Sequence, residues 1–200
     1  HRVHRRQRQM CIRDRQNLER LGVSAVVIED KKGLKKNSLF GTDVKQEQDS
    51  IENFCEKIKV GINSKQTDEF MVIARIESLI LGKGIEDALL RGRSYADSGA
   101  NGVLIHSKDK SEELVFQFVE DFKKDFDVPV IVVPTTYNHI TLDEFKKLGV
   151  DIVIYANHLL RSAYPAMLNT AEEILKFGRT QELEKKLMSV KEVINFIPTD

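Results

Sequence analysis

The sequence lacks cysteine motifs, long apolar runs and low-complexity tracts, which are the features that mark disulfide-rich, membrane-spanning and disordered proteins. It has two cysteines, Cys11 and Cys55, and neither stands in a motif with a partner. They indicate a reducing compartment or no redox role, and we expect a cytoplasmic protein. No run of about eighteen apolar residues occurs, so the sequence predicts no transmembrane helix. No long low-complexity tract occurs either, and 41% hydrophobic with 31% charged residues is typical of a folded chain.

The chain also lacks a net charge, because 31 basic residues balance 31 acidic ones. The distribution is uneven, since residues 1–15 hold six arginines and one aspartate, a net of +5. This stretch has no helical or strand periodicity, and no apolar segment follows it as in a signal peptide. We expect residues 1–15 to be a non-native or disordered basic arm and residues 16–200 to be the folded part. Neither nucleic acid nor a membrane is expected as a partner.

What the sequence does contain, from residue 16 onward, is a regular alternation of short apolar runs and helical patterns. Runs rich in valine and isoleucine are typical of strands buried on both faces of a parallel sheet, and the segments between them fit crossover helices. The predicted strands span residues 23–28, 70–76, 102–105, 129–133 and 151–155. The predicted helices span residues 51–60, 85–98, 111–126 and 142–148, the last two with Ser111 and Thr141 as N-caps.

This alternation with short connections predicts an α/β fold. Gly22, Gly99 and Gly149 each stand before a predicted strand, where glycine closes the preceding helix. Right-handed parallel connections leave two architectures, a barrel or a doubly wound sheet. Polar residues follow every predicted strand, as they do at the carboxyl end of a TIM barrel, and this favours the barrel.

The period of two along a strand assigns side chains to the inward face of that barrel. We expect the following residues to ring its mouth: Glu29, Arg75, Glu77, His106 and Asn157. The sequence shows five β/α units, whereas a TIM barrel has eight, and residues 16–21 read as the end of a helix. We therefore expect a partial (β/α)8 TIM barrel with five C-terminal β/α units plus C-terminal helices. The first three units are expected to lie outside this sequence.

Several stretches resemble, in order and spacing, the phosphoenolpyruvate mutases of the phosphoenolpyruvate mutase/isocitrate lyase superfamily. The resemblance covers residues 16–200 and runs from the fourth strand and gating loop of that family to its C-terminal segment. The matching stretches are VVIEDKKGLKKNS (26–38), MVIARIESLILGKGIEDAL (71–89), GVLIHSK (102–108), VIVVPTTY (130–137), VIYANHLLRSA (153–163) and SVKEVINF (189–196).

The resemblance implies a Mg2+-dependent isomerase that interconverts phosphoenolpyruvate and phosphonopyruvate, the carbon–phosphorus bond-forming step of phosphonate biosynthesis. It also implies a homo-oligomer for the full-length parent. By the matched motifs, Glu29 would hold the metal through water, and Arg75 and His106 would contact the migrating phosphoryl group. Arginine suits that task because its planar fork is permanently charged, and histidine can donate a hydrogen bond whether charged or neutral. Glu77 is interpreted as an ion-pair partner of Arg75 that either stabilises the structure or orients the Arg75 side chain.

The loop after the fourth strand carries further implied roles. Lys35, Asn37 and Ser38 would lie on a segment that closes over the substrate, and Asn37 would join the catalytic residues on closure. Closure would exclude water, which would otherwise capture the phosphoryl group. The other lysines of residues 31–36 are typical of a solvated loop.

Departures from the family leave alternatives open. The family's metal-binding pattern D-x-D-x-G-x-G does not occur here, so the chain by itself is expected to be an inactive, non-catalytic fragment. Related phosphonopyruvate hydrolases tend to carry arginine at the position of His106, and His106 therefore favours the mutase. Carbon–carbon lyases of the isocitrate or methylisocitrate type carry a Lys-Lys-Cys-Gly-His loop, where this sequence has no cysteine in residues 35–38.

Overall fold

The structure, a computed structural model, describes residues 14–33 and 46–196 and divides into two compact units, with the boundary after Tyr155. In the first unit, five strands form one parallel sheet in the order β1-β2-β3-β4-β5. The strands are β1 (Ala25–Glu29), β2 (Met71–Ile76), β3 (Gly102–Ile105), β4 (Val130–Val132) and β5 (Ile152–Val153). All five predicted strands are present, and the predicted parallel α/β fold is confirmed.

Helices alternate with these strands and then continue into the second unit. The first unit holds α1 (residues 14–20), α2 (Ile51–Asn63), α3 (Gly84–Asp97), α4 (Glu113–Lys123) and α5 (Leu142–Leu148), and the second holds α6 (His158–Phe177) and α7 (Val190–Ile194). Helix α1 includes the last two residues of the predicted basic arm. Residues 1–13 lie outside the described residues, so the arm itself stays a prediction.

The sheet of the first unit has two differently packed faces, and both bury apolar side chains. One face packs against the helices through alternate strand residues such as Ala74, Val103 and Val132. The other face carries a small cluster of Ile73, Leu104, Ile131 and Val133, called the inward cluster below. Because side chains alternate along a strand, each strand end presents successive residues to opposite faces. The residues that follow each strand continue this alternation, so successive residues there also point to opposite faces.

The ends of the helices explain where the chain turns into the sheet. Thr141 caps α5 with a reciprocal capping box to Glu144, as predicted, and Gly149 closes that helix in the left-handed conformation with φ 94°. The predicted cap at Ser111 is wrong. The N-cap of α4 is Glu112, whose side chain makes no capping hydrogen bond, and the Ser111 hydroxyl accepts only from the Glu113 amide at 3.3 Å. Ser111 therefore lies one residue before the N-cap position of α4.

Strand β5 corrects one prediction about the mouth of the barrel. Counting back in steps of two from Asn157, a predicted mouth residue, places Val153 on the inward face as well. Val153 instead pairs in register with Val132 and packs on the helix side, while Ile154 packs against the inward cluster. Neighbours in register on parallel strands face the same side, so the partner strand sets the orientation of β5.

The second unit consists of α6, α7 and the turns between them. Asn157 occupies the N-cap position of α6 without a side-chain capping hydrogen bond, and Gly178 ends that helix with φ 63°. A capping box between Ser189 and Glu192 begins α7. Of the helices that the structure describes, none is long and apolar enough to cross a membrane.

Candidate active site at the carboxyl end of the sheet

The first two strands place a carboxylate and a guanidinium side by side at their carboxyl ends. Glu29 and Arg75 are register partners in the β1–β2 pair, and Arg75 Nη1 lies 3.3 Å from Glu29 Oε1. Both follow inward-facing residues at a spacing of two, since Ala25 and Ile73 pack in the inward cluster. The alternation rule therefore predicted their common face correctly.

Glu77 lies beyond the end of β2 and is completely buried. One of its oxygens accepts a hydrogen bond from Arg75 Nε, and the other lies 2.6 Å from Lys31 Nζ. The predicted contact between Arg75 and Glu77 is thus present. A buried carboxylate with two cationic partners is compensated, whereas one left unpaired is strongly destabilising.

Lys31 is a member of this cluster that the sequence did not reveal. Its side chain is only 8% exposed, and Nζ also lies 3.9 Å from Glu29 Oε2. Glu29, Arg75, Glu77 and Lys31 therefore form a closed ring of alternating charge with no net charge, called the charge ring below. The sequence held one signal for this position, because Lys31 stands two residues after Glu29 and so falls on the same face by the period of two. The lysine-rich composition of the following segment hid it.

His106 follows β3 and is 4% exposed. Burial, reinforced by the positive charge of Arg75, lowers its pKa from 6.5 to about 4, while Glu77 and the Val133 carbonyl oppose that shift. The imidazole is therefore neutral at pH 7, with one nitrogen as a donor and the other as an acceptor. Its Nδ1 is buried and has no hydrogen-bond partner among the described residues. A buried nitrogen of this kind is suited to a hydrogen bond with a ligand.

The structure leaves the other four predicted site residues untested. Lys35, Asn37 and Ser38 lie outside the described residues, and their roles stay predictions. The flanks of that segment pair with each other, since Lys31 and Gln48 form an antiparallel bridge and the Lys32 amide donates to the Glu47 carbonyl at 2.8 Å. Asn157 belongs to the second unit, where it begins a helix.

The described residues contain no group of three or more histidine, cysteine, aspartate or glutamate side chains arranged to hold a metal ion. Glu29 is the predicted metal residue, and its carboxylate faces Arg75 and Lys31 in the charge ring. A carboxylate already paired with two cations suits an outer role, through water, better than direct coordination.

Parallel strands that carry charged and polar side chains at their carboxyl ends are typical of α/β barrel folds. Within that class, the family model described as phosphoenolpyruvate phosphomutase matches residues 12–175. The chain therefore belongs to the phosphoenolpyruvate phosphomutase family.

Known proteins of this family and its neighbours resemble the chain over most of its length. The phosphoenolpyruvate phosphomutase of Tetrahymena pyriformis is 39% identical over 176 residues, which cover 88% of this chain and 58% of that protein. The crystal structure of phosphoenolpyruvate phosphomutase from Streptomyces platensis subsp. rosaceus matches with a TM-score of 0.87 and 40% identity, covering 92% of this chain and 63% of that one. Phosphonopyruvate hydrolase in complex with oxalate and Mg2+ matches with a TM-score of 0.81 and 35% identity, covering 92% and 62%. The chain thus spans about three fifths of the length of these relatives.

Proposed function

We propose that the complete protein is a phosphoenolpyruvate phosphomutase, which moves a phosphoryl group between the enol oxygen of phosphoenolpyruvate and the methylene carbon of phosphonopyruvate. The observation that carries this proposal is the placement of Arg75 and the buried, neutral His106 on adjacent strand ends. Phosphoryl transfer with a loose transition state depends on positioning and charge neutralisation more than on covalent help. A fixed guanidinium beside a hydrogen-bonding imidazole meets both needs.

Arg75 is the residue proposed to neutralise the phosphoryl oxygens. Its Nε donates to Glu77 and its Nη1 faces Glu29, so the two carboxylates fix the plane of the guanidinium. Fixing the fork in advance removes the entropy that a free arginine would lose on binding. Glu77 is therefore proposed to orient Arg75 rather than to touch the substrate.

His106 is proposed to hold the migrating group through a hydrogen bond donated by Nδ1–H, which requires the neutral tautomer protonated at Nδ1 when the ligand is bound. A neutral imidazole adds direction without adding a second full positive charge beside Arg75. Lys35, Asn37 and Ser38 are proposed to complete the site from the loop that follows β1, with Asn37 contacting the phosphoryl group.

Mg2+ is proposed as the cofactor of the complete protein, because the similar phosphonopyruvate hydrolase structure contains it. The described residues supply Glu29 as an outer ligand and no three-residue metal cluster, so they do not fit the ion by themselves. For the same reason we propose that the 200-residue chain alone is inactive. A small-molecule substrate and a homo-oligomeric assembly are proposed for the complete protein as well.

The hydrolase is the second candidate, because its structure shares this fold at 35% identity. In that reaction water takes the phosphoryl group, and the products are phosphate and pyruvate. A carbon–carbon lyase of the isocitrate or methylisocitrate type is a third outcome within the same superfamily.

One assay distinguishes these functions. Residues 16–200 are joined to the part of the Tetrahymena pyriformis relative that the match does not cover, and the resulting chain is supplied with Mg2+ and phosphonopyruvate. Phosphorus NMR should show phosphoenolpyruvate. Free phosphate would instead identify a hydrolase. Neither product, together with cleavage of 2-methylisocitrate in a parallel sample that is supplied with it, would identify a lyase.

Variants of the same protein test the proposed role of Arg75. Arg75→Ala should lower kcat/KM by at least about 100-fold, because a preorganised charge on the transferred group is lost. The matched control is Arg93→Ala, since Arg93 is half-exposed and pairs with Asp125 on the helix layer. Equal activity of the two variants would contradict the role of Arg75.

A further inference from the structure

We propose that Asp30 is a positioning residue that holds the charge ring in place from behind the sheet. The role of the ring in catalysis rests on the proposed function, but the positioning does not. Asp30 follows Glu29 directly, so the two carboxylates point to opposite faces of the sheet. Glu29 enters the charge ring, while Asp30 is completely buried on the helix side.

Four donors from three separate parts of the chain converge on the Asp30 carboxylate. The Glu77 amide donates to Oδ1 at 3.0 Å. Oδ2 receives Gln48 Nε2 at 2.7 Å, the Tyr95 hydroxyl at 2.8 Å and Arg91 Nη1 at 3.4 Å. Burial raises the pKa of Asp30, and these hydrogen bonds and the charge of Arg91 oppose that rise. The convergence ties the end of β1 to the end of β2, to the segment before α2 and to helix α3.

Helix α3 holds this junction with a second layer of contacts. Arg91 Nη1 donates to the Tyr95 hydroxyl and to the Asp49 carbonyl, both at 2.9 Å, and Arg91 Nε donates to Asp87 at 2.9 Å. Burial raises the pKa of Tyr95, with the charge of Asp30 adding to it, so its hydroxyl stays protonated. The donors around Asp30 are therefore themselves fixed.

The backbone of Glu77 is held on both sides by this network. Its own amide donates to Asp30, and the next residue, Ser78, accepts from Gln48 Nε2 at 3.1 Å and donates to Asp87 at 2.6 Å. The side chain of Glu77 then emerges on the other face, where it meets Arg75 and Lys31. Glu77 thus connects the hydrogen bonds around Asp30, through its backbone amide, to the charge ring, through its side chain.

The flank of residue 31 is held in the same way. The Asp30 amide donates to the Arg75 carbonyl at 3.1 Å, and the Asp30 carbonyl accepts from the Asp49 amide at 2.8 Å. Lys31 leaves this clamped backbone and places its ammonium against Glu77. These backbone bonds do not need the carboxylate, but the Glu77 amide does. Loss of the Asp30 carboxylate should therefore loosen Glu77 first, and with it the ammonium of Lys31 that Glu77 holds.

The test uses the 200-residue chain and does not depend on turnover. Asp30→Asn keeps the shape but turns an amide nitrogen toward donors, and Asp151→Asn is the matched control. Asp151 also binds a neighbouring strand, since it accepts from the Val130 amide at 2.7 Å, but it does so at the amino end of the sheet. Urea unfolding reports stability, and NMR titration of the His106 ring reports the geometry of the site.

A positioning role predicts that Asp30→Asn raises the His106 pKa from about 4 toward 6.5, because the burial that is the largest cause of the low value weakens when the ring loosens. The weaker influence of Lys31 acts in the same direction, and the weaker influence of Glu77 offsets only part of the rise. Loss of a negative charge alone would lower that pKa, so the sign identifies the cause. Asp151→Asn should leave the titration at its wild-type midpoint. An unchanged His106 titration in folded Asp30→Asn would overturn the proposal, whatever happens to its stability.

Tyr95→Phe serves if Asp30→Asn does not fold. It removes one of the four donors and keeps the ring that packs on Phe54, with centroids 4.7 Å apart. The His106 pKa should rise in the same direction by a smaller amount. No change in this variant would likewise overturn the positioning role.

Discussion

The two ends of the parallel sheet use polar side chains in opposite ways. At the amino end, Asn101 Oδ1 accepts from the Val72 amide at 2.9 Å, and Asp151 accepts from the Val130 amide. At the carboxyl end, Glu77 and its neighbours are satisfied by one another's side chains, and the Nδ1 of His106 has no partner among the described residues. A side chain that accepts a hydrogen bond from the backbone amide of a neighbouring strand joins the two strands. Side chains that pair with one another can change partners when a ligand binds. The difference separates a structural end from a reactive one.

The largest test of this contrast removes the centre of the charge ring. Glu77→Gln leaves Arg75 and Lys31 close together without their shared carboxylate, and we expect a loss of about 3–5 kcal/mol in the free energy of unfolding. Urea unfolding at pH 7 measures it. Glu47→Gln is the matched control, because it breaks an exposed pair with Lys32 and should cost far less. Comparable losses in the two variants would show that the ring is not a buried, coupled unit.

A second test uses pH to isolate the contribution of His106 at the carboxyl end. The folded pKa of His106 is about 4 and the unfolded value is 6.5, so the unfolded chain binds more protons between them. Stability from this group is complete above pH 6.5 and is lost as the pH falls toward 4, by up to about 3 kcal/mol. The difference in unfolding free energy between wild type and His106→Gln should therefore change across that window. Curves that stay parallel from pH 7 to pH 4 would contradict the buried neutral state.

The smallest effect is expected at the amino end. Asn101→Ala leaves the amide of buried Val72 without its side-chain acceptor and should cost about 1–3 kcal/mol. Asn101→Asp keeps an acceptor and is the control, with a smaller loss. Neither variant should move the His106 titration. A shift there would mean that the two ends of the sheet are not independent.

The sequence predicted the strands well because each is a short β-branched run bounded by glycine or polar residues. It also predicted that Glu29 and Arg75 share a face, since each follows an alternating pattern with a known inward residue. The predicted orientation of β5 was wrong. Residues 152–154 are all apolar, so no alternation of polar and apolar residues shows which of them faces inward. Only the register with Val132 fixes which of them faces inward.

The sequence could not separate Lys31 from its neighbours, because a lysine in a lysine-rich stretch has the same composition whether solvated or buried. Its burial depends on Glu77, 46 positions away in the chain. Asp30 is a similar case, since its four donors come from residues 48 to 95. Long-range pairs of this kind leave no local periodicity to read.

By itself, the sequence determined the alternation of strands and helices and which charged residues stand at the strand ends. Those features follow from local rules, namely β-branched runs, helix caps and the period of two. The tertiary structure alone decided which charges meet, that Lys31 joins Glu77, and which donors surround Asp30. Burial and pairing arise only when distant strands are brought into register, because a charge becomes costly or useful only according to what surrounds it.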